Sequence, residues 1–564
     1  MDGTGTGTGT AKPMEEVKGI TGLGFSALLL LLSVFAMPPL FSAFPSVPAS
    51  KVVGAMIKDM DEVLSKSYDY IIVGGGTSGC PLAATLSQKY SVLLVERGGS
   101  PYGNPLIEDR LLYDFANIRT DEFSSVSQAF RGDGGRYNAR GRVLGGTTAI
   151  NGGFYSRASE DDIKRAGWDA ELVRESFEWV EEKIIFPNPI TAWQSTLVRG
   201  ILQAGIRPLN DFSLEHIKGT KVGAGIFDTH LKRRTSADLL AAGNPKNLDI
   251  LLQATIQKVI LDDEGVGKRP KARGIRFIRS SNDTVLSNKF YEVYLNDPKV
   301  HPSSGDVILS AGTLGSPQIL MLSGIGPQQH LLQFGISPVI DAKEVGQSVQ
   351  DNPTLAPALN YSSNALLRLH PDPPQIAGIE EKFQFVVETA VSNRGPRGSI
   401  QVPVLAKMTH PVSRGWIKLQ STDPRKNPAV KFNYLAEEED MKTCLRMVKM
   451  LDRVARSRPV EAFLEKKQSV VPRNATEQEL RDFCEEKVVT IYHYHGGCNI
   501  GSVVDEEHRV YGVDGLRVVD FSTFLESPGT NPMASLLMLG RYQGVRILRE
   551  REREMMKNVT ISDH

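Results

Sequence analysis

The stretch YDYIIVGGGTSGCPLAATLSQKYSVLLVERG, residues 68 to 98, constrains the fold more than any other part of the chain. DYIIV is an apolar run rich in β-branched residues, the pattern of a strand buried on both faces of a parallel sheet. Gly74, Gly76 and Gly79 follow as G-x-G-x-x-G. GCPLAATLSQ reads as a helix and SVLLVE as a second strand, closed by Glu96, 22 residues after Gly74. A lone G-x-G-x-x-G is weak evidence. Between a strand and a helix, with an acid at that distance, it marks a dinucleotide-binding unit. The first glycine permits the tight turn, the second lets backbone approach a pyrophosphate, and the third lets the helix pack on the strand. The helix N-terminus then offers N–H groups and a partial positive charge to the phosphates. Glu96 is placed to accept hydrogen bonds from ribose hydroxyls and to disfavour a 2′-phosphate. This unit alone accommodates NAD or FAD.

At 564 residues the chain has room for two to four domains, or one interleaved pair. Lys+Arg and Asp+Glu both number 65, with no charge block, which excludes the usual footprint of a nucleic-acid binder. The N-terminus differs from the rest. MDGTGTGTGT cannot build a core, and residues 1–19 are expected to be disordered. Residues 20–44 carry no charge over 25 positions, enough to span a bilayer of about 30 Å at about 1.5 Å per residue. A secretory signal and a retained membrane anchor both fit this segment, for the region before it mixes three acids with two lysines. Sequons at Asn282, Asn360, Asn474 and Asn558 agree with an extracellular or lumenal destination. Four cysteines have no metal-binding spacing, and one disulfide is plausible in an oxidising compartment.

Two further glycine-rich segments narrow the choice of cofactor: ARGRVLGGTTAINGGFYSRAS (139–159) and GTLGSPQILMLSGIG (312–326). With VGQSVQDNP, LRVVDFSTF and NPMASLLMLGRYQG, they make the chain resemble the glucose–methanol–choline (GMC) family of flavoprotein oxidoreductases over residues 66 to 550. Within that family it is most similar to the plant HOTHEAD-like and mandelonitrile-lyase-like branch. The resemblance implies an α/β (α+β overall) architecture. A Rossmann-like FAD-binding domain, residues 66–155, 220–345 and 488–550, is interleaved with a smaller substrate domain, 156–219 and 346–487. An antiparallel sheet of the substrate domain roofs the flavin, and SRGWIKLQSTDPRKNPAVKFNYL (413–435) resembles that roof. NLDILLQATIQKVI reads as a strand near the adenosine. The implied FAD contacts are Gly74, Gly76, Thr77, Ser78, Gly79, Glu96, Arg97, Arg142, Val143, Gly146, Thr147, Asn151, Gly152, Ile256, Asp520, Pro532 and Met533. Some relatives tether FAD through a histidine in the Gly145–Asn151 block. Ile150 stands there, so non-covalent FAD is expected.

The chemistry centres on TIYHYHGGCNIG, residues 490 to 501. In the family one histidine takes the hydroxyl proton of an alcohol while hydride leaves for flavin N5, a task suited to a neutral imidazole near pH 7. Alignment on Cys498 puts His493 at that position and Asn531 at the partner position 38 residues on. In an extended segment His495 points the same way as His493, so His495 and Tyr492 are assigned to the substrate pocket. Asn531 cannot be an acid or base but can hydrogen-bond a substrate oxygen. The oxidoreductases carry His or Asn there, whereas the plant hydroxynitrile lyases carry His. The reading is therefore oxidation of the CH–OH group of a mostly apolar small-molecule alcohol. The alternative is non-redox cleavage of a cyanohydrin with FAD as scaffold, and the third is a non-catalytic relative. Cys444 and Cys484 are expected to form the disulfide, since Cys80 lies in the nucleotide helix and Cys498 beside the catalytic segment. Cys484 with Cys498 is the rival pairing.

Overall fold

The computed structural model describes residues 48–562 apart from 122, 263–267, 281–288, 298–304, 367–371 and 392–401. The expected disorder of residues 1–19, the apolar segment 20–44 and the sequon at Asn282 lie outside the described residues. Among the described residues no helix is long and apolar enough to cross a membrane.

The nucleotide layer is a five-stranded, all-parallel sheet. Its order is Leu516–Val518, Val307–Leu309, Tyr70–Val73, Val92–Val95, Leu248–Leu251. YIIV and VLLV are buried at every position, as expected of strands covered on both faces. The strand Tyr70–Val73 leads to one neighbour, Val92–Val95, while the other, Val307–Leu309, comes from far along the chain. This is the switch point at which open α/β sheets form their ligand crevice. The helix Gly79–Leu86 crosses over from Tyr70–Val73. The long C-terminal helix, Met533–Ser562, packs against it so closely that a Cβ on Gly540 would lie 2.1 Å from the Ser78 carbonyl oxygen.

The stretch read as one strand near the adenosine is two. Leu248–Leu251 closes the parallel sheet, Gln253 turns with φ +55°, and Ala254–Asp262 starts a separate three-stranded antiparallel sheet. The apolar run is continuous in sequence, so only the backbone reversal separates the two.

The second layer is a seven-stranded sheet in the order Val488–Val489, Thr354–Leu355, Val404–Met408, Phe385–Thr389, Ile376–Ile379, Gly219–Val222, Leu209–Phe212. All its pairings are antiparallel except the last. Period-two alternation divides its side chains. Leu355, Val387, Val404 and Ala406 face the helices Ala192–Ala204 and Glu438–Ala455 in one apolar core. The other face carries Thr354, Glu388 and Leu405 and covers the cavity described below. The roof assignment of residues 413–435 is thus corrected. Gly415–Lys418 and Ala429–Lys431 belong to a separate three-stranded sheet with Gln347–Val349, and the roof is built from strands on either side of them. The roof also takes in Gly219–Val222 and Val488–Val489, which shifts the sequence-based domain boundaries at 220 and 488 by a few residues. Cys444, on Glu438–Ala455, is joined by a disulfide to Cys484 on Glu477–Lys487, while Cys80 and Cys498 are buried free thiols.

Candidate active site

One elongated cavity of about 510 Å³ runs from Ile256 and Glu96 at one end to His493 and Asn531 at the other. At its nucleotide end Gly74 takes φ +106°, and a Cβ there would sit 2.3 Å from the Ser310 carbonyl oxygen. Gly79 does not line the cavity. Its Cβ would fall 2.0 Å from the Gly74 carbonyl oxygen, so its role is the helix–strand contact. Gly76 differs from both. A Cβ there would meet no protein atom closer than 3.9 Å, and the space beside it is the cavity itself. Gly146, with φ +54°, approaches from the opposite side, where a Cβ would fall 2.6 Å from the Gly76 Cα. Ser78 caps the helix Gly79–Leu86 without a side-chain hydrogen bond, and Gly76, Thr77 and Ser78, which lead into that N-terminus, line the cavity.

Glu96 is buried. Its Oε2 accepts from the Gly75 N–H at 3.0 Å and its Oε1 from the Gly98 N–H at 2.8 Å. Burial raises its carboxyl above the usual range, opposed by Arg97 and by these two N–H groups. Arg97 and Arg140 also line the cavity, and both donate to Gln128 Oε1. A glycine cradle closed from two sides, a helix N-terminus and two guanidiniums together fit a pyrophosphate-bearing cofactor such as FAD.

Thr77, Ser78, Gly146, Thr147, Asn151, Gly152, Ile256, Asp520, Pro532 and Met533 all lie on the cavity wall. Asp520 does so with both carboxylate oxygens engaged. Oδ2 accepts from the Gly312 N–H at 2.9 Å and the Ser316 hydroxyl at 2.5 Å, and Oδ1 from Ser522. Two expected contacts besides Gly79 are corrected. Arg142 is directed away, onto the Ser125 carbonyl and Asp121, and Val143 is buried with Ile107 and Ala149. Arg140, opposite Gln128 on the strand Tyr137–Gly141, faces inward, whereas Arg142 lies one residue past the strand's end and its side chain is drawn to the Ser125 loop. Arg140 lies inside the quoted glycine-rich block but was passed over. Ile150, at the tethering position, lines the cavity.

At the far end the backbone N–H of His493 donates to Asp351 Oδ1 at 2.9 Å. Asp351 Oδ2 accepts from Thr490 at 2.6 Å and Tyr434 at 2.5 Å. Burial lifts the Asp351 carboxyl to about 6. The turn that follows His495 needs its glycines: Gly496 has φ +86°, and a Cβ there would fall 2.4 Å from the Ser348 carbonyl oxygen. The His493 ring lines the cavity, and its Nδ1 has no hydrogen-bond partner among the described residues. Burial holds the imidazole well below its ordinary pKa, reinforced by Lys407 and His495, so it is neutral at pH 7. Tyr492, with φ +65°, is also on the wall.

His495 is not on the wall. It is fully buried, stacked on Phe521 at 5.1 Å, with Nδ1 3.0 Å from the His493 carbonyl oxygen. The pocket assignment of His495 is therefore corrected. The segment forms only an isolated bridge between His495 and Gln350, not a strand, so period-two facing does not apply. Burial depresses its imidazole to about 4.

Asn531 lines the same end. Its Oδ1 accepts from Lys407 Nζ, and its Nδ2 lies 3.4 Å from Glu388 Oε2. Glu388 and Lys407, on adjacent roof strands, were missed. Their only sequence signal is a charged residue inside each of two apolar strands, FVVET and VLAKM. Asp351 was missed as a residue, though VGQSVQDNP contains it.

Comparison with known proteins places this arrangement. The model of the N-terminal part of the GMC oxidoreductases matches residues 68–354, and that of the C-terminal part residues 411–540. The chain is 39% identical to Protein HOTHEAD of Arabidopsis thaliana, over 86% of this chain and 89% of that one. It is 36% identical to (R)-mandelonitrile lyase 3 of Prunus serotina, over 93% and 94%. It is 35% identical to a sinalpyl alcohol oxidase of Nesocodon mauritianus, over 93% and 97%. Among solved structures, a formate oxidase of Aspergillus oryzae superposes with a TM-score of 0.72 at 20% identity, covering 86% of this chain and 99% of that one, a likeness of fold.

Proposed function

The chain belongs to the GMC oxidoreductase family and is an FAD-binding oxidoreductase, and from that premise we propose that it oxidises a mostly apolar alcohol with His493 as the base and Asn531 holding the substrate oxygen. When bound, FAD supplies the acceptor for the hydride that leaves the carbinol carbon. The observation that carries the reading is the pairing, at one end of the cavity, of a neutral imidazole with an amide in place of a second histidine. His493 takes the hydroxyl proton, and Asp351 holds its backbone in place. Tyr113, Phe154, Pro374, Leu405 and Ile491 face the same space, which favours an apolar substrate body over a sugar.

The resemblance to (R)-mandelonitrile lyase keeps one rival alive: cyanohydrin cleavage with the flavin idle. The test is anaerobic. Benzylic, aliphatic and ω-hydroxy acyl alcohols are mixed with the purified protein and the flavin absorbance followed. Bleaching by an alcohol supports the proposal. Flavin that stays oxidised while mandelonitrile is cleaved supports the rival.

Two finer points belong with this reading. Ile150 in the cavity wall supports non-covalent FAD, and acid denaturation should release all the flavin into the supernatant. The leader at 20–44, the exposed sequons Asn360 and Asn474 and the disulfide support a route through the secretory pathway, as a secreted or membrane-anchored enzyme. A glycosidase-induced mobility shift of the native protein tests that.

A further inference from the structure

We infer that Glu388 and Lys407 are positioning residues that lock the Asn531 side chain with its N–H toward the substrate oxygen, so that Asn531 donates to that oxygen and does not accept from it. The inference rests on the reading of Asn531 as a substrate contact.

The geometry starts in the roof. On the paired strands Phe385–Thr389 and Val404–Met408, Glu388 is opposite Leu405 and Lys407 is opposite Val386. Glu388 and Lys407 are therefore diagonal neighbours on one face, within reach of each other through long side chains. Lys407 Nζ lies 3.2 Å from Glu388 Oε1, with side chains 1% and 3% exposed. A buried ion pair is expensive to desolvate and is weak evidence of a stability role. Here both charges end on the same amide. Lys407 Nζ donates to Asn531 Oδ1, and Asn531 Nδ2 lies 3.4 Å from Glu388 Oε2.

An asparagine amide looks nearly symmetrical, and only its partners say which end is oxygen. An ammonium has donors alone and an ionised carboxylate acceptors alone. With Lys407 on one side and Glu388 on the other, the flipped amide would set N–H against ammonium and oxygen against carboxylate. The pair permits one orientation. One N–H of Nδ2 points to Glu388, and the second remains for the cavity that Asn531 lines.

That orientation matches what the reaction needs. The substrate hydroxyl has one proton, and His493 takes it. An amide oxygen at the same place would be a second acceptor with nothing to accept, repelling the charge that grows on the substrate oxygen. An N–H there stabilises that charge as it develops.

The test uses the FAD-loaded enzyme and benzaldehyde as probe, because its carbonyl oxygen can only accept. Binding is read from the shift of the flavin spectrum and needs no turnover. The variants are Asn531→Ala, the double Glu388→Gln/Lys407→Met, which removes both charges together, and the triple. The double should weaken benzaldehyde binding about 3–10-fold, the loss expected for one neutral hydrogen bond. Asn531→Ala should do the same, and the triple should lose no more than either. Unchanged affinity in the double, or losses that add in the triple, overturns the inference. Should the double not fold, Asn531→Ala is titrated with benzaldehyde and with toluene. Loss for benzaldehyde alone sustains the donor orientation, and equal losses overturn it. Wild-type bleaching by benzyl alcohol is scored separately, so a failed alcohol-oxidation reading is not confused with a failed orientation.

Discussion

Replacing Gly76 by Val should separate a glycine kept for the ligand from one kept for the fold. A Cβ on Gly76 would lie 3.9 Å from the Gly146 Cα and 4.0 Å from the Ser310 carbonyl oxygen, ordinary distances that require no backbone shift. Its φ is not in the left-handed region, so an L side chain is tolerated. The apoprotein should therefore lose no more than about 1 kcal/mol, the usual range for a substitution without a clash. The valine γ carbons extend into the cavity where a pyrophosphate must lie. Forfeiting two charge-assisted hydrogen bonds there costs on the order of 3 kcal/mol or more, at least roughly 100-fold in FAD affinity. Gly79→Ala is the control. Its Cβ would overlap the Gly74 carbonyl oxygen at 2.0 Å, so the helix must retreat. The expected cost is about 1–3 kcal/mol of fold stability or more. The assay is flavin content after purification, together with thermal unfolding of the two variants and of deflavinated wild type. The expected result is Gly76→Val colourless and unfolding with the deflavinated wild type, and Gly79→Ala unfolding earlier. Full FAD retention in Gly76→Val, or equal destabilisation of the two, refutes the reasoning.

His493→Ala should slow flavin reduction by alcohol roughly 10²–10⁴-fold, as loss of a general base does, while keeping FAD. His495→Ala should leave reduction much closer to wild type but cost about 2–4 kcal/mol of stability, because its buried ring stacks on Phe521. A larger rate loss in His495→Ala than in His493→Ala would invert the assignment. Flavin reduction should be flat from pH 8 down to 6.5, because the depressed imidazole of His493 stays neutral there. Below pH 6.5 the unfolded chain binds the proton first, so this group's contribution to stability falls with pH toward the lower folded value. A rate that halves near pH 6.5 contradicts it. Ser at both Cys444 and Cys484 should lower stability by roughly 3–4 kcal/mol, the chain-entropy value for a closed loop of this length, measured by denaturant unfolding. Non-reducing peptide maps should show the 444–484 link, and four free thiols would sink it.

What the sequence determined by itself is local. The strand–turn–helix from Tyr70 to Leu86 was legible because its constraints act within a few residues: an apolar run, three glycines and an acid at a fixed distance. The cavity-lining Ile256 and Asn531–Met533 were legible through family blocks, which carry site residues along as short motifs. Tertiary structure decided which side chains share a space. Arg140 rather than Arg142 faces the cavity because Gln128, its partner across the strand pair, holds it there, while Ser125 and Asp121 draw Arg142 away. His495 leaves the pocket because it bridges Gln350, 145 positions earlier, instead of continuing a strand. The roof gathers seven strands from widely separated stretches, and Glu388, Lys407 and Asn531 meet only because of it. Such pairings are closed by long-range hydrogen bonding and burial, whose energies depend on partners far along the chain. Composition and periodicity can say that a charge lies inside an apolar strand. Only the folded chain says which opposite charge it meets, and which amide the two of them hold.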